Sequence, residues 1–237
     1  MLTGRYWGVI LAYIIMQFSG LLFAPLLYVA LPLTQNEAIV YWSLISFVIG
    51  LVVIGFIMKP YMREAPLRNA ASKGEIVLWS ILGVFMAYMA NAIAASIEMY
   101  VFGIEAGSEN TMMIIDMIEL VPLFFIVPTI IAPILEEVIF RKIVFGSLYK
   151  RFNFIIAAFI SAGVFGVIHG EIEHILIYSA MGFVFAFLYV KTKRLIVPII
   201  VHMTLNSISV ILQMSGVLEN MEKQLENMEK LQMIFGG

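Results

Sequence analysis

Within the stretch LEEVIFR, residues 135–141, two adjacent carboxylates and an arginine stand in a segment otherwise apolar enough to lie in lipid. Charges at membrane depth are costly to bury and mark functional sites by default. On a regular helix Glu137 and Arg141 form an i,i+4 pair on one face, where each neutralises the other. Glu136 lies about 100° further round and has no partner in its own segment. A carboxyl without a counter-ion in apolar surroundings is the kind of group that can exchange a proton near neutral pH, as a general base must. Glu136 is therefore the catalytic candidate, with Glu137 and Arg141 as its structural brace.

The later apolar stretches hold two of the chain's three histidines. Phe165 and His169 in FGVIH, and His202 and Asn206 in HMTLN, are each spaced i,i+4, so each pair shares one helix face. Three helices can thereby project a carboxyl, two imidazoles and a carboxamide into one cavity. Hydrolysis asks for such groups: a base to activate water, a second group to orient it, and donors for a developing oxyanion. A lone histidine in a span is more often a packing residue, but three polar pairs in three spans argue against coincidence. Other hydrolytic chemistries are poorly served. The chain has no cysteine, Asp116 is its one aspartate, and Ser161 sits about two turns ahead of His169 on the same helix.

These groups must be carried by membrane helices. Of 237 residues 62% are hydrophobic and only 13% charged, and the mean hydropathy is +1.00, far from the balance of a water-soluble domain. The composition predicts an all-α, polytopic transmembrane helix bundle with a polar cavity lined by its later spans. A net charge of −2 without a long basic run argues against nucleic acid as a partner. Hydropathy predicts seven spans, over residues 6–33, 38–58, 76–102, 121–149, 154–169, 175–190 and 195–214. Pro25 is expected to kink the first. Pro122, Pro128 and Pro133 are expected to bend or divide the fourth, because proline at membrane depth frees backbone groups that protein or water must satisfy.

Basic residues cluster in the loop 59–75, at Lys150 and Arg151, and at Lys191, Lys193 and Arg194. The positive-inside rule puts these on the cytoplasmic side and the N-terminus with them. The segment after the third span holds Glu105, Glu109, Asp116 and Glu119 with no Lys or Arg, and should be an outward loop. His174, with Glu171 and Glu173, reads as a solvated outer turn rather than a metal site. Residues 1–215 form one membrane domain in this reading, with 216–237 an amphipathic tail. That tail repeats LENMEK and sets Leu218, Met221, Leu225 and Met228 on one stripe, as an interfacial helix would.

In this order and spacing, EExxxR (Glu136, Glu137, Arg141), FxxxH (Phe165, His169) and HxxxN (His202, Asn206) resemble the signature of the CPBP intramembrane proteases. These are the CAAX prenyl endopeptidases and the bacteriocin-processing or abortive-infection proteins. The resemblance covers about residues 120–215, the protease-like core. It implies an intramembrane endopeptidase in which Glu136 and His169 activate the attacking water while His202 and Asn206 stabilise the oxyanion. The substrate would be a membrane-embedded or lipid-anchored peptide or protein, and the location a bacterial cell membrane. Family members are described both as metalloproteases and as glutamate-dependent enzymes. Glu136, His169 and His202 could form an open zinc site, but the HExxH spacing is absent, so water activation without a cofactor is the expectation. A non-catalytic membrane adaptor or bacteriocin self-immunity protein is the alternative. A small transporter would show two related halves, which this sequence lacks.

Depth poses a problem. Straight upright helices would put Glu136 about 21 Å from its basic end, His169 about 27 Å and His202 about 12 Å. Tilt, the prolines of the fourth span, and Gly163 and Gly166 of the fifth are expected to close the gap.

Overall fold

A computed structural model describes residues 4–62, 67–105 and 107–216. The chain runs as α1 (Gly4–Phe18), α2 (Gly20–Ala30), α3 (Gln35–Met62), α4 (Lys73–Phe102), α5 (Glu109–Leu120), α6 (Pro122–Leu148), α7 (Phe154–Ile168), α8 (Ile175–Thr192) and α9 (Ile196–Met214). Among the described residues there is no strand, so the all-α expectation holds. The repeating tail lies outside the described residues.

Among the described residues five helices, α3, α4, α6, α8 and α9, are long and apolar enough to cross a membrane. The count becomes six if α1 and α2, bent by 42°, are one span. The 15 residues of α7 reach about 22 Å, short of a hydrocarbon core of about 30 Å. Five or six spans and one short apolar helix therefore stand where seven spans were expected.

The first bend falls at Ser19 and Gly20 rather than at Pro25, which α2 accommodates. Ser19 Oγ donates to the carbonyl of Met16 at 2.9 Å and accepts from Trp42 Nε1 at 2.9 Å. A Ser/Gly pair with a side chain inserted at the break is a known cause of kinks. The acidic segment is likewise no open loop, because its second half winds into α5. Ser108 caps that helix by accepting from the Thr111 N–H at 3.0 Å, and Ile118 is buried beneath it.

Local chemistry sets the other ends. A reciprocal capping box of Ser72 and Glu75 opens α4, and Gly103, at φ 68°, closes it in the left-handed region. At one end of the bundle two basic loops dock on each other. Lys193 Nζ donates to the Arg68 carbonyl at 2.9 Å, Arg194 Nε to that of Ala71 at 3.1 Å, and the Ala71 N–H to that of Thr192 at 2.9 Å.

α6 is the central element, with 56% of its apolar window buried in protein against 28% for α3 and 17% for α4. The large apolar side chains that α3 and α4 leave exposed, Phe56 and Phe85 among them, suit contact with lipid. α4 nevertheless passes close to α8 and α9. At Gly83 an added Cβ would stand 2.7 Å from both Leu188 and Val201, so only a small residue permits the approach.

The fourth expected span is one helix with changing pitch. A tight turn, Pro122–Phe125, leads into a π-wound stretch, Val127–Ile131, then α-helix over Ala132–Glu137, then a second π-wound stretch, Val138–Phe145. In π winding a carbonyl meets the N–H five residues on. For Pro128 that residue is Pro133, which has no N–H.

Candidate active site

The missing donor to Pro128 comes from α9, where Asn206 Nδ2 donates to the Pro128 carbonyl at 2.9 Å. One turn earlier on α9, His202 lies between the two glutamates of α6. Its Nδ1 is 3.1 Å from Glu137 Oε1 and its Nε2 is 3.6 Å from Glu136 Oε2. Glu137 Oε2 in turn lies 3.1 Å from Arg141 Nε, and both side chains are fully buried. A chain of charged and polar groups thus runs Arg141, Glu137, His202, Glu136.

The expected pair of Glu137 and Arg141 forms, even though π winding begins at Val138. Its geometry is an ion pair by distance rather than an aligned hydrogen bond, because none of the guanidinium nitrogens has a hydrogen-bond partner among the described residues. Aromatic faces compensate. The guanidinium carbon lies 5.1 Å from the Phe165 ring centre and 5.3 Å from that of Phe185, where a cation is attracted to the π system. Phe185 also stacks on His202 at 4.9 Å. Full burial removes Arg141 from anything that enters the site.

Glu136, Phe165, His169, His202 and Asn206 all line one cavity of about 660 Å³. The offset expected of straight helices therefore does not keep these side chains from one shared space. π turns advance the chain less per residue than α turns, which draws Glu136 towards the basic end of α6. Glu136 keeps 15% of its side chain open, whereas Glu137 keeps none.

His169 occupies the C-cap of α7. Its Nδ1 lies 2.7 Å from the carbonyl of Phe165. A carbonyl only accepts, so Nδ1 carries a hydrogen, and in the neutral ring Nε2 is then the nitrogen that accepts. The ring stacks on Tyr178 at 4.4 Å, and the Tyr178 hydroxyl donates to Glu171. No hydrogen bond or ion pair joins His169 to Glu136 directly. A shared metal would need donors from Glu136, His169 and His202 within about 2 Å of one point. Among the described residues no three His, Asp or Glu side chains are so grouped.

The outer turn differs from its expected solvated form. His174 Nδ1 lies 2.9 Å from Glu98 Oε2, while Glu98 Oε1 accepts the N–H groups of Leu176 and Ile177 at 3.1 and 3.2 Å. Glu98 thereby caps α8 from within α4. Glu171 ties the same turn to α5, accepting from the Ser108 hydroxyl and the Asn110 N–H, each at 2.9 Å. Burial would push its carboxyl up, but the bonds from Tyr178, Asn110 and Ser108 outweigh it and hold Glu171 below its ordinary range.

Sequence reasoning passed over Glu98, although a lone carboxylate inside an apolar span is itself a signal. It also passed over the N-terminal half of the cavity wall, where Tyr13 and Gln17 of α1, Ser43 of α3 and Asn91 of α4 face the same space.

Comparison with known proteins gives the chain a family. The family model of the Type II CAAX prenyl endopeptidases, Rce1-like, matches residues 118–208. The protein named "Putative membrane peptidase YdiL" of Bacillus subtilis (strain 168) is 48% identical over 98% of this chain and 98% of its own. The membrane-embedded CAAX protease MroQ of Staphylococcus aureus (strain USA300) is 33% identical over 89% of this chain and 90% of its own. No solved structure matches. With its bundle of apolar helices and these relatives along nearly its whole length, the chain is a multi-pass membrane protein of the Rce1-like CAAX protease family.

Proposed function

We propose that this protein is an intramembrane endopeptidase that hydrolyses a peptide bond of a membrane-embedded or lipid-anchored substrate, with Glu136 as general base. A water held between Glu136 and Nε2 of His169 loses a proton to the Glu136 carboxylate as its oxygen attacks the scissile carbonyl carbon. The oxyanion accepts from His202 Nε2–H and from the Nδ2 hydrogen of Asn206 that Pro128 does not use. For His202 to donate from both nitrogens it must be the imidazolium, with the Glu137 carboxylate opposite Nδ1 as counter-charge and Arg141 behind it. When the tetrahedral intermediate collapses, the C–N bond breaks and Glu136 returns its proton to the leaving amine.

One observation carries this reading: Glu136 is the carboxylate of the LEEVIFR stretch that opens onto the cavity, and two histidines and a carboxamide open onto the same space. The alternative, a non-catalytic adaptor or immunity protein, takes support from Asn206 and His202, whose bonds to Pro128 and Glu137 also serve helix packing. Glu136→Gln separates the two, since it keeps size and removes the base. Peptides that accumulate in cells carrying the variant but not the wild type support the protease. Identical peptide profiles and an unchanged cellular phenotype would favour the adaptor. Metal content measured on the purified protein tests the cofactor expectation independently.

A further inference from the structure

The roles assigned so far fall on α6, α7 and α9, yet α1 also reaches the cavity. Tyr13 and Gln17, one helical turn apart, line it together with Glu136. Tyr13 is only 7% exposed and belongs to the apolar cluster that includes Leu135, Ile139 and Phe140 of α6. Its hydroxyl oxygen accepts from Gln17 Nε2 at 3.4 Å. Among the described residues nothing accepts the hydroxyl's own proton. A buried donor with no acceptor is costly, and buried tyrosine hydroxyls usually find a partner.

Glu136 presents the complementary vacancy. The one ion-pair contact of its carboxylate is His202 Nε2 at 3.6 Å, too long for a good hydrogen bond. An unspent donor and an unspent acceptor thus face one space.

We infer that Tyr13 is a positioning residue of the active site, its O–H holding the Glu136 carboxylate across a water in the cavity they share, with Gln17 setting the direction of the hydroxyl. The inference rests on Glu136 being the base. It also extends the site to α1, outside the residues 118–208 that match the family model.

The test uses the purified full chain in detergent and a pool of internally quenched fluorescent peptides with apolar centres. For a peptide that wild type cleaves, Tyr13→Phe is expected to lower kcat about tenfold, less than the roughly 10²–10⁴-fold of a group that itself transfers the proton, because Tyr13 acts through Glu136. KM should stay within about twofold and the thermal unfolding midpoint should not move. Gln17→Leu, which leaves the Tyr13 ring in place, is expected to lower kcat less and in the same direction. In a Glu136→Gln background, adding Tyr13→Phe should cost nothing more, because both changes disable one unit. Wild-type kcat in Tyr13→Phe, or losses that multiply in the double variant, would overturn the role of Tyr13 while leaving Glu136 as base. If Tyr13→Phe unfolds, the Gln17→Leu kcat decides, and an unchanged value counts against the inference. Full activity in Glu136→Gln would sink the base assignment itself. A wild type that cleaves no peptide of the pool counts against the enzyme reading and the Tyr13 role with it.

Discussion

Two glutamates inside apolar helices each approach a histidine, and the two sites differ in what is left over. Glu98 of α4 takes His174 on one oxygen and two backbone N–H groups on the other, and it is 2% exposed. Glu136 of α6 has a single distant imidazole nitrogen and a side chain open to the cavity. A buried carboxylate with both oxygens engaged is a rivet between helices. One with capacity to spare, beside a space large enough for water and peptide, can take up a proton. Residue type and histidine partnership do not distinguish the two, whereas unspent hydrogen-bonding capacity does.

The comparison breaks most decisively at Glu136. Glu136→Gln should lower peptide cleavage by about 10³-fold while thermal unfolding in detergent stays that of wild type, and retained activity would erase the distinction. Arg141→Leu should act on stability, since it breaks a fully buried ion pair and leaves Glu137 with His202 alone, at a cost of about 3–5 kcal/mol. Chemical denaturation would read that loss, and an unchanged midpoint would mean the guanidinium compensates nothing. Glu98→Ala should cost about 2–3 kcal/mol by stranding two backbone donors and His174, with kcat of the folded fraction within about twofold of wild type. Loss of kcat without loss of stability would put Glu98 in the chemistry and dissolve the contrast.

The smallest effect belongs to Glu171. Its carboxyl is held below the ordinary range, so the tie it makes to α5 is fully present at neutral pH. The tie weakens only as pH falls below about 4.3 and then through the lowered value. Hydrogen exchange of α5 amides should accelerate in that window in wild type, while Glu171→Gln flattens the dependence. Exchange that is the same in wild type and Glu171→Gln through that window would mean that the tie does not rest on the Glu171 carboxylate.

Much of the site was legible because its parts are local in sequence. Glu137 and Arg141 are four apart, and so are the members of the Phe165–His169 and His202–Asn206 pairs, so helix periodicity alone puts each pair on one face. What gathers them around one space was not legible. The Pro128 carbonyl, which Pro133 cannot serve, is met by an amide on a helix 78 residues away, a partnership that spacing along one chain does not encode. The bend at Ser19 depends on Trp42, 23 residues on, which is why Pro25 was the more visible candidate. The rivet at Glu98 needs His174, 76 residues distant. Tyr13 was hidden for a different reason: an aromatic in the first span reads as packing until the cavity shows which way the helix faces.

The central claim is that Glu136 opens onto a wet hollow while its neighbouring charges do not, and the natural absence of cysteine makes that measurable. Single substitutions Glu136→Cys, His169→Cys, Glu98→Cys and Arg141→Cys in the membrane-embedded protein can be compared for reaction with a small, water-soluble thiol reagent. The account expects rapid labelling at positions 136 and 169 and none at 98 and 141. Protection at 136 equal to that at 98 would contradict it.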